Sequence, residues 1–281
     1  MRSTMMSALA AVVTVATLGL TATPASASPD GTLRLSQDAA GQVAIQQGAT
    51  LRAGLINVNI TSAYTSADPE TFRLRNGATL PQMDVKITEA GNWQADAAKA
   101  AEAMRWFVDN TTFYGGLSAV GQVSYKTVLS AGSYYAAQVN NPSATARTFR
   151  VVGNAHATLP ATDQSVSMQE PDRFVVSGPG GKLHRGPLRI SNNSGELHFA
   201  QFVQVQPGTT DADITAWFAG GENPSVNGGA VLNFGTQSPG RASVVDVTLP
   251  SGTYALLDYI PDTTTGMPHA FGGMHAVVTV A

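Results

Sequence analysis

The chain has five histidines and no cysteine among its 281 residues. Any chemistry it performs must therefore rest on imidazole, carboxylate, hydroxyl or thioether groups. The spacings that would organise these into a catalyst are missing. There is no Gly-x-Ser-x-Gly elbow to expose a serine, no His-Glu-x-x-His to set two imidazoles on one helix face, no P-loop and no dinucleotide fingerprint. A Ser-His-Asp grouping could be assembled from many combinations, so sequence alone gives it no support. The expectation is a protein without catalytic residues, not an enzyme. Asn59-Ile60-Thr61 and Asn110-Thr111-Thr112 match the glycosylation sequon, a pattern short enough to recur by chance.

The elements that would position the remaining groups read as strands. Short β-branched and aromatic runs alternate with Gly, Pro, Asn and Ser. Candidate strands are Leu55 to Thr61, Met83 to Ile87, Ser124 to Leu129, Ser133 to Val139, Thr148 to Val152, Phe174 to Val176, Leu188 to Ser191, Phe199 to Val205, Ser243 to Leu249, Thr253 to Tyr259 and Ala276 to Val280. Asp96 to Val108 has the apolar spacing of a helix, and Asp211 to Ala219 reads as a shorter one opened by an Asp or Thr cap. Trp106 and Trp217, near the ends of these helices, read as residues packed on a sheet rather than as sugar platforms.

At the N-terminus, Arg2 precedes an apolar run from about Ala8 to Leu20 and a small-residue stretch ending Ala25-Ser26-Ala27. That is the pattern of a secretory signal peptide over residues 1–27, cleaved after Ala27. The run is short for a membrane span, and no later stretch is long and apolar enough to be one, so the mature chain is expected to be secreted and extracellular with no membrane span. Charged residues make up 12% of the chain, and its 16 Lys and Arg are scattered among 19 acidic residues, which excludes the concentrated basic face that nucleic acid requires. Without cysteine there can be no disulfides, so stability must come from burial.

The two halves repeat. Leu51-Arg52-Ala53-Gly54 echoes Leu183-His184-Arg185-Gly186, and each leads to a strand. Met83 to Ile87, the helix ending Trp106-Phe107-Val108, Gly115-Gly116, a turn at Gly121 and Gly132-Ser133-Tyr134 run colinear with a second series. That series is Phe202 to Val205, the helix ending Trp217-Phe218-Ala219, Gly228-Gly229, Gly240 and Gly252-Thr253-Tyr254. Such a run argues for duplication. The expected units are residues 30–153 and 172–281, each an all-β Greek-key sandwich with a short helix in a connection, joined by a linker from Gly153 to Asp172.

Gly252-Thr253-Tyr254, Asp258, Pro261, His269 and Gly273-Met274, followed by the strand Ala276 to Val280, resemble the C-terminal copper loop of cupredoxins. His198, after Asn192-Asn193-Ser194-Gly195, resembles their upstream ligand histidine. The resemblance implies a cupredoxin-like sandwich with copper as the candidate cofactor and His198, Asp258, His269 and Met274 as the metal site. In that family two imidazoles and a thiolate hold copper in a plane and a thioether approaches along the axis. Here Asp258 stands four residues after Tyr254 where the family has Cys, which excludes a blue copper centre. The insertion from Tyr259 to Pro268 is a second departure. The four side chains would suit Cu(II), and less well Zn(II). His275 is a substitute ligand that strand alternation turns away from Met274. Gln138 stands four residues after Tyr134, so the first half carries no such site. Two functions follow: a copper-binding protein without thiolate redox chemistry, or a metal-free interaction module for an unidentified protein or cell-surface partner.

Overall fold

The computed structural model describes residues 31–63, 69–118 and 121–281. The signal-peptide segment, residues 1–27, lies outside the described residues. The first half supplies β1 (Thr32–Gln37), β2 (Val43–Gln47), β3 (Thr50–Arg52), β4 (Gly54–Ser62), β5 (Pro69–Leu74), α1 (Leu80–Gly91), α2 (Ala97–Asn110), β6 (Thr111–Ser118), β7 (Gly121–Leu129), β8 (Gly132–Gln138), α3 (Pro142–Thr145) and β9 (Arg147–Val152). The second supplies β10 (Ser165–Gln169), β11 (Arg173–Ser177), β12 (Gly186–Asn192), β13 (His198–Val205), α4 (Asp211–Phe218), β14 (Val231–Gln237), β15 (Ala242–Val247), β16 (Gly252–Leu257) and β17 (His275–Val280).

These strands form two sheets, ordered β11-β10-β12-β15-β7-β4-β1-β2 and β17-β16-β13-β14-β6-β5-β8-β9-β3. Each sheet reads the same from its centre outward in both halves. β1 runs parallel to β4 as β10 does to β12. Gly132 lies opposite Val151 as Gly252 lies opposite Val280, and the parallel pairing of Leu51 with Val151 recurs as a bridge from Leu183 to Val280. Tyr134 Oη donates to Ser130 O, and Tyr254 Oη to Pro250 O, across the same four-residue step. The chain is thus an all-β pair of Greek-key sandwiches. They meet edge to edge through the antiparallel pairs β7·β15 and β6·β14. Both sheets therefore run on through both halves. Alternate strand residues from each half face inward, and the main core is shared, from Leu33 and Ile56 to Phe202, Tyr254 and Val280.

Three local expectations are corrected. Met83 to Ile87 is not a strand but the middle of α1. Thr79 caps that helix reciprocally with Gln82, and Pro81 sits in its first turn, where a missing N–H costs nothing. The strand that answers β13 is β5, so the first half carries two helices, α1 and α2, in the connection where the second carries α4 alone. Gly115-Gly116 lies inside β6, paired with β5 and β14, whereas Gly228-Gly229 lies in the loop before β14, so that pair of features is not equivalent. Within the stretch read as a linker stands β10, whose alternation buries Val166 and Met168 in the shared core. Trp106 and Trp217 lie on α2 and α4, half-buried against the smaller apolar clusters that these helices form on the outer face of one sheet.

Candidate functional site: a buried histidine pair at one end of the second sandwich

The site gathers where β13 begins and β16 ends. β13 and β16 are antiparallel neighbours, with Gln201 opposite Leu257, so His198 at the head of one strand falls beside Asp258 just past the other. The chain then makes a long loop and returns as a short helical turn, His269–Gly272, before β17. Backbone bonds hem the return: Ala270 N donates to Asp258 O at 2.7 Å, His269 N to Ile260 O at 3.0 Å and Met274 N to His269 O at 2.9 Å. These fix His269 over His198.

The Tyr259 to Pro268 insertion is docked on the first half. Asp262 Oδ1 accepts the backbone N–H groups of Thr264 and Thr265, closing an Asx turn. Burial works against the Asp262 carboxylate's charge, but these donors and the nearby His269 outweigh it and hold its pKa below the usual range. Arg105 of α2 donates to Thr263 O. Gly266 adopts φ +70° against the start of α2, where an added Cβ would lie 1.7 Å from Ala97 O. Only glycine satisfies both conditions.

His198, Asp258 and His269 side chains are all 0% exposed. His198 Nδ1 is 2.7 Å from Asp258 Oδ2, and Asp258 Oδ1 accepts Ile260 N–H at 2.9 Å, so both carboxylate oxygens are occupied. Burial disfavours a charged His198 ring. The hydrogen bond and charge of Asp258, with the charges of Asp172 and Glu196, outweigh that and raise its pKa. The His198 and His269 rings lie 4.4 Å apart between centroids at 56°. Met274 is fully buried in the main core. His275 is turned to α4, where its Nε2 meets Thr215 Oγ1 at 3.1 Å, as strand alternation required.

Three further acids approach the pair that the loop pattern did not single out as ligands. Asp172 Oδ1 is 3.3 Å from His269 Nδ1, and Glu196 Oε2 is 3.6 Å from His269 Nε2. One candidate ligand atom from each of Asp172, His198 and His269 falls within 4.8 Å of the others, and the same holds for Glu196, Asp262 and His269. Asp172 stands at the edge of the stretch read as a linker. Glu196, two residues before His198, carried no family signal. At this pair, three buried ring nitrogens, His198 Nε2 and both of His269, have no hydrogen-bond partner among the described residues. Buried polar atoms are rarely left so without an unseen water or ion.

Fold and site together define an all-β double sandwich with a buried imidazole pair at one end. No protein-family model matches the chain, and no curated protein matches it. Among solved structures, auracyanin from Roseiflexus castenholzii aligns at 16% identity over 42% of this chain and 94% of its own, TM-score 0.25. Copper nitrite reductase from Nitrosomonas europaea aligns at 12% over 89% and 93%, TM-score 0.23. A multicopper oxidase aligns at 13% over 91% and 92%, TM-score 0.24. At these TM-scores the likeness carries no argument, and the fold stands on the strand order and registers above.

Proposed function

We propose that this is an exported, cupredoxin-like protein that holds copper(II) at the His198–His269 centre of its second sandwich, by binding rather than turnover. The observation that carries the reading is the set of three buried, unpartnered imidazole nitrogens on rings 4.4 Å apart. Aromatic contact accounts for the rings but leaves their nitrogens unsatisfied. A divalent ion between the rings would satisfy one nitrogen of each, and neutral imidazole suits copper(II) better than it suits a hard cation.

His198 and His269 would hold the ion, with Met274 beneath the loop. Asp258 does what an outer carboxylate does in metal sites: it takes the far N–H of His198 and fixes which nitrogen is offered. When bound, the copper would supply a fixed positive charge among Asp172, Glu196 and Asp258. With no cysteine in the chain, no thiolate can tune it for fast electron exchange. Export is supported by Arg2, the apolar run to Leu20 and Ala25-Ser26-Ala27. No helix among the described residues is long and apolar enough to cross a membrane. Residues 30–153 and 172–281 are read as duplicated units, of which the second kept the histidines.

Equilibrium dialysis against copper(II) tests the reading. One equivalent should be retained, and a His198→Ala, His269→Ala double variant that still folds should retain none. Equal retention by the variant would place copper elsewhere.

A further inference from the structure

The copper loop points to Asp258 as the carboxylate ligand, since it stands where the family has cysteine. The geometry points elsewhere. Asp258 Oδ2 lies 2.7 Å from His198 Nδ1, a hydrogen-bond distance, and Oδ1 is committed to Ile260 N–H. Two ligand atoms each about 2.0–2.2 Å from one tetrahedral ion stand further apart than that, about 3.3–3.6 Å. Asp258 therefore cannot share an ion with His198 Nδ1 in the arrangement present.

The other acids near the pair differ in what they have left to give. Glu196 accepts Thr263 N–H at 2.8 Å on Oε2 and Thr263 Oγ1 at 2.6 Å on Oε1. Asp262 closes the Asx turn. The Asp172 carboxylate accepts no hydrogen bond among the described residues, although its Oδ1 stands 3.3 Å from His269 Nδ1. That nitrogen has no hydrogen-bond partner either, so the two atoms face one another without a proton aimed along the line between them. Two lone pairs converging on a shared point would leave this arrangement. One ligand atom each from Asp172, His198 and His269 lies within 4.8 Å of the others.

We infer, resting on the metal-binding reading above, that Asp172 is the third protein ligand, and that the divalent ion is held by His198 Nε2, His269 Nδ1 and the Asp172 carboxylate. The donor set is two imidazoles and one carboxylate, with Asp258 behind His198 as its orienting partner and Glu196 on the opposite nitrogen of His269. Asp172 is 35% exposed, so the site reaches solvent on its side while the imidazoles stay dry. Nitrogen and oxygen donors favour copper(II) or zinc(II), and the carboxylate disfavours copper(I), which prefers sulfur.

Isothermal titration of copper(II), and separately zinc(II), into the whole purified protein tests the inference, using the wild type, Asp172→Asn, Asp172→Ala and Asp163→Asn, an exposed linker acid. Circular dichroism of the metal-free proteins reports folding, and two substitutions at a partly exposed position guard against one failing to fold. Wild type and Asp163→Asn should bind one equivalent alike. The Asp172 variants should bind at least about a hundredfold more weakly, at or beyond the upper end of what losing an outer partner costs. A loss of less than about a hundredfold, within what an outer partner costs, would overturn the role of Asp172 as a ligand while leaving the histidine centre standing. Failure of the wild type itself to bind would overturn the metal reading and this inference with it.

Discussion

His198 Nδ1 and Asp258 Oδ2 stand 2.7 Å apart with both side chains fully buried. Removing one member of such a pair strands the other in a dry interior, which typically costs about 3–5 kcal/mol. Asp258→Ala also deprives Ile260 N–H of its acceptor. Denaturant unfolding of the metal-free protein should show a loss in that range. A loss under about 1 kcal/mol would mean that water or another acid replaces the carboxylate.

Gly266 joins the inserted loop to α2, and its replacement separates packing from loop chemistry. Gly266→Ala forces a residue with a Cβ into φ +70° and 1.7 Å from Ala97 O. Left-handed strain alone costs on the order of 1–3 kcal/mol. The melting temperature should fall by several degrees, and a shift within error would show that the loop moves away from α2 freely.

The tyrosine pair tests the repeat energetically. Tyr134 Oη donates to Ser130 O at 2.6 Å and Tyr254 Oη to Pro250 O at 2.8 Å. Tyr134→Phe and Tyr254→Phe should each cost about 0.5–1.5 kcal/mol and, the sites being separate, add in the double variant. Markedly unequal costs would show that shared geometry does not bring shared energetics.

The helical hairpin of the first half should respond to pH. Lys86 Nζ lies 2.7 Å from Glu89 Oε2, while Lys99 from α2 reaches Glu89 Oε1 at 3.3 Å. The hydrogen bond to Lys86 depresses the Glu89 pKa, and the bond to Glu89 raises that of Lys86. The Glu89 contribution is thus present above its unfolded pKa and lost as pH falls through the depressed folded value. The Lys86 contribution is present below its unfolded pKa and lost as pH rises through the raised folded value. Surface pairs of this kind contribute about 0–1 kcal/mol. Glu89→Gln should be slightly less stable than wild type near neutral pH in thermal melts and indistinguishable from it in strong acid. A difference that persists in acid would rule out the ion pair as its source.

What the sequence revealed followed the strength of each local signal. β4, β7, β13 and β17 are dense in β-branched and apolar residues, alternating with polar ones in the first three, and were legible. β1, β5 and β10 mix polar residues with few apolar ones, and their strand character comes from neighbours that the sequence does not display. Met83, Val85 and Ile87 imitate a strand by alternation, yet Val85 is 55% exposed and the capping box at Thr79 and Gln82 was the better guide. At the site, His198, Asp258 and His269 were named from a local pattern that strand order carries to one end of the sandwich, while Met274 lies buried in the main core. Asp172 and Glu196 were not named, because their approach to His269 depends on how a linker and a turn fold over that end.

Copper(II) at the His198–His269 centre would be held by two imidazoles without thiolate. Electron paramagnetic resonance of the protein with one equivalent of copper(II), read beside its visible spectrum, tests that arrangement most directly. Nitrogen couplings from two imidazoles are expected on a nearly colourless sample, because intense blue absorption belongs to the copper–thiolate bond that this chain cannot make. A spectrum indistinguishable from copper in buffer would contradict the arrangement, as would an intense blue complex.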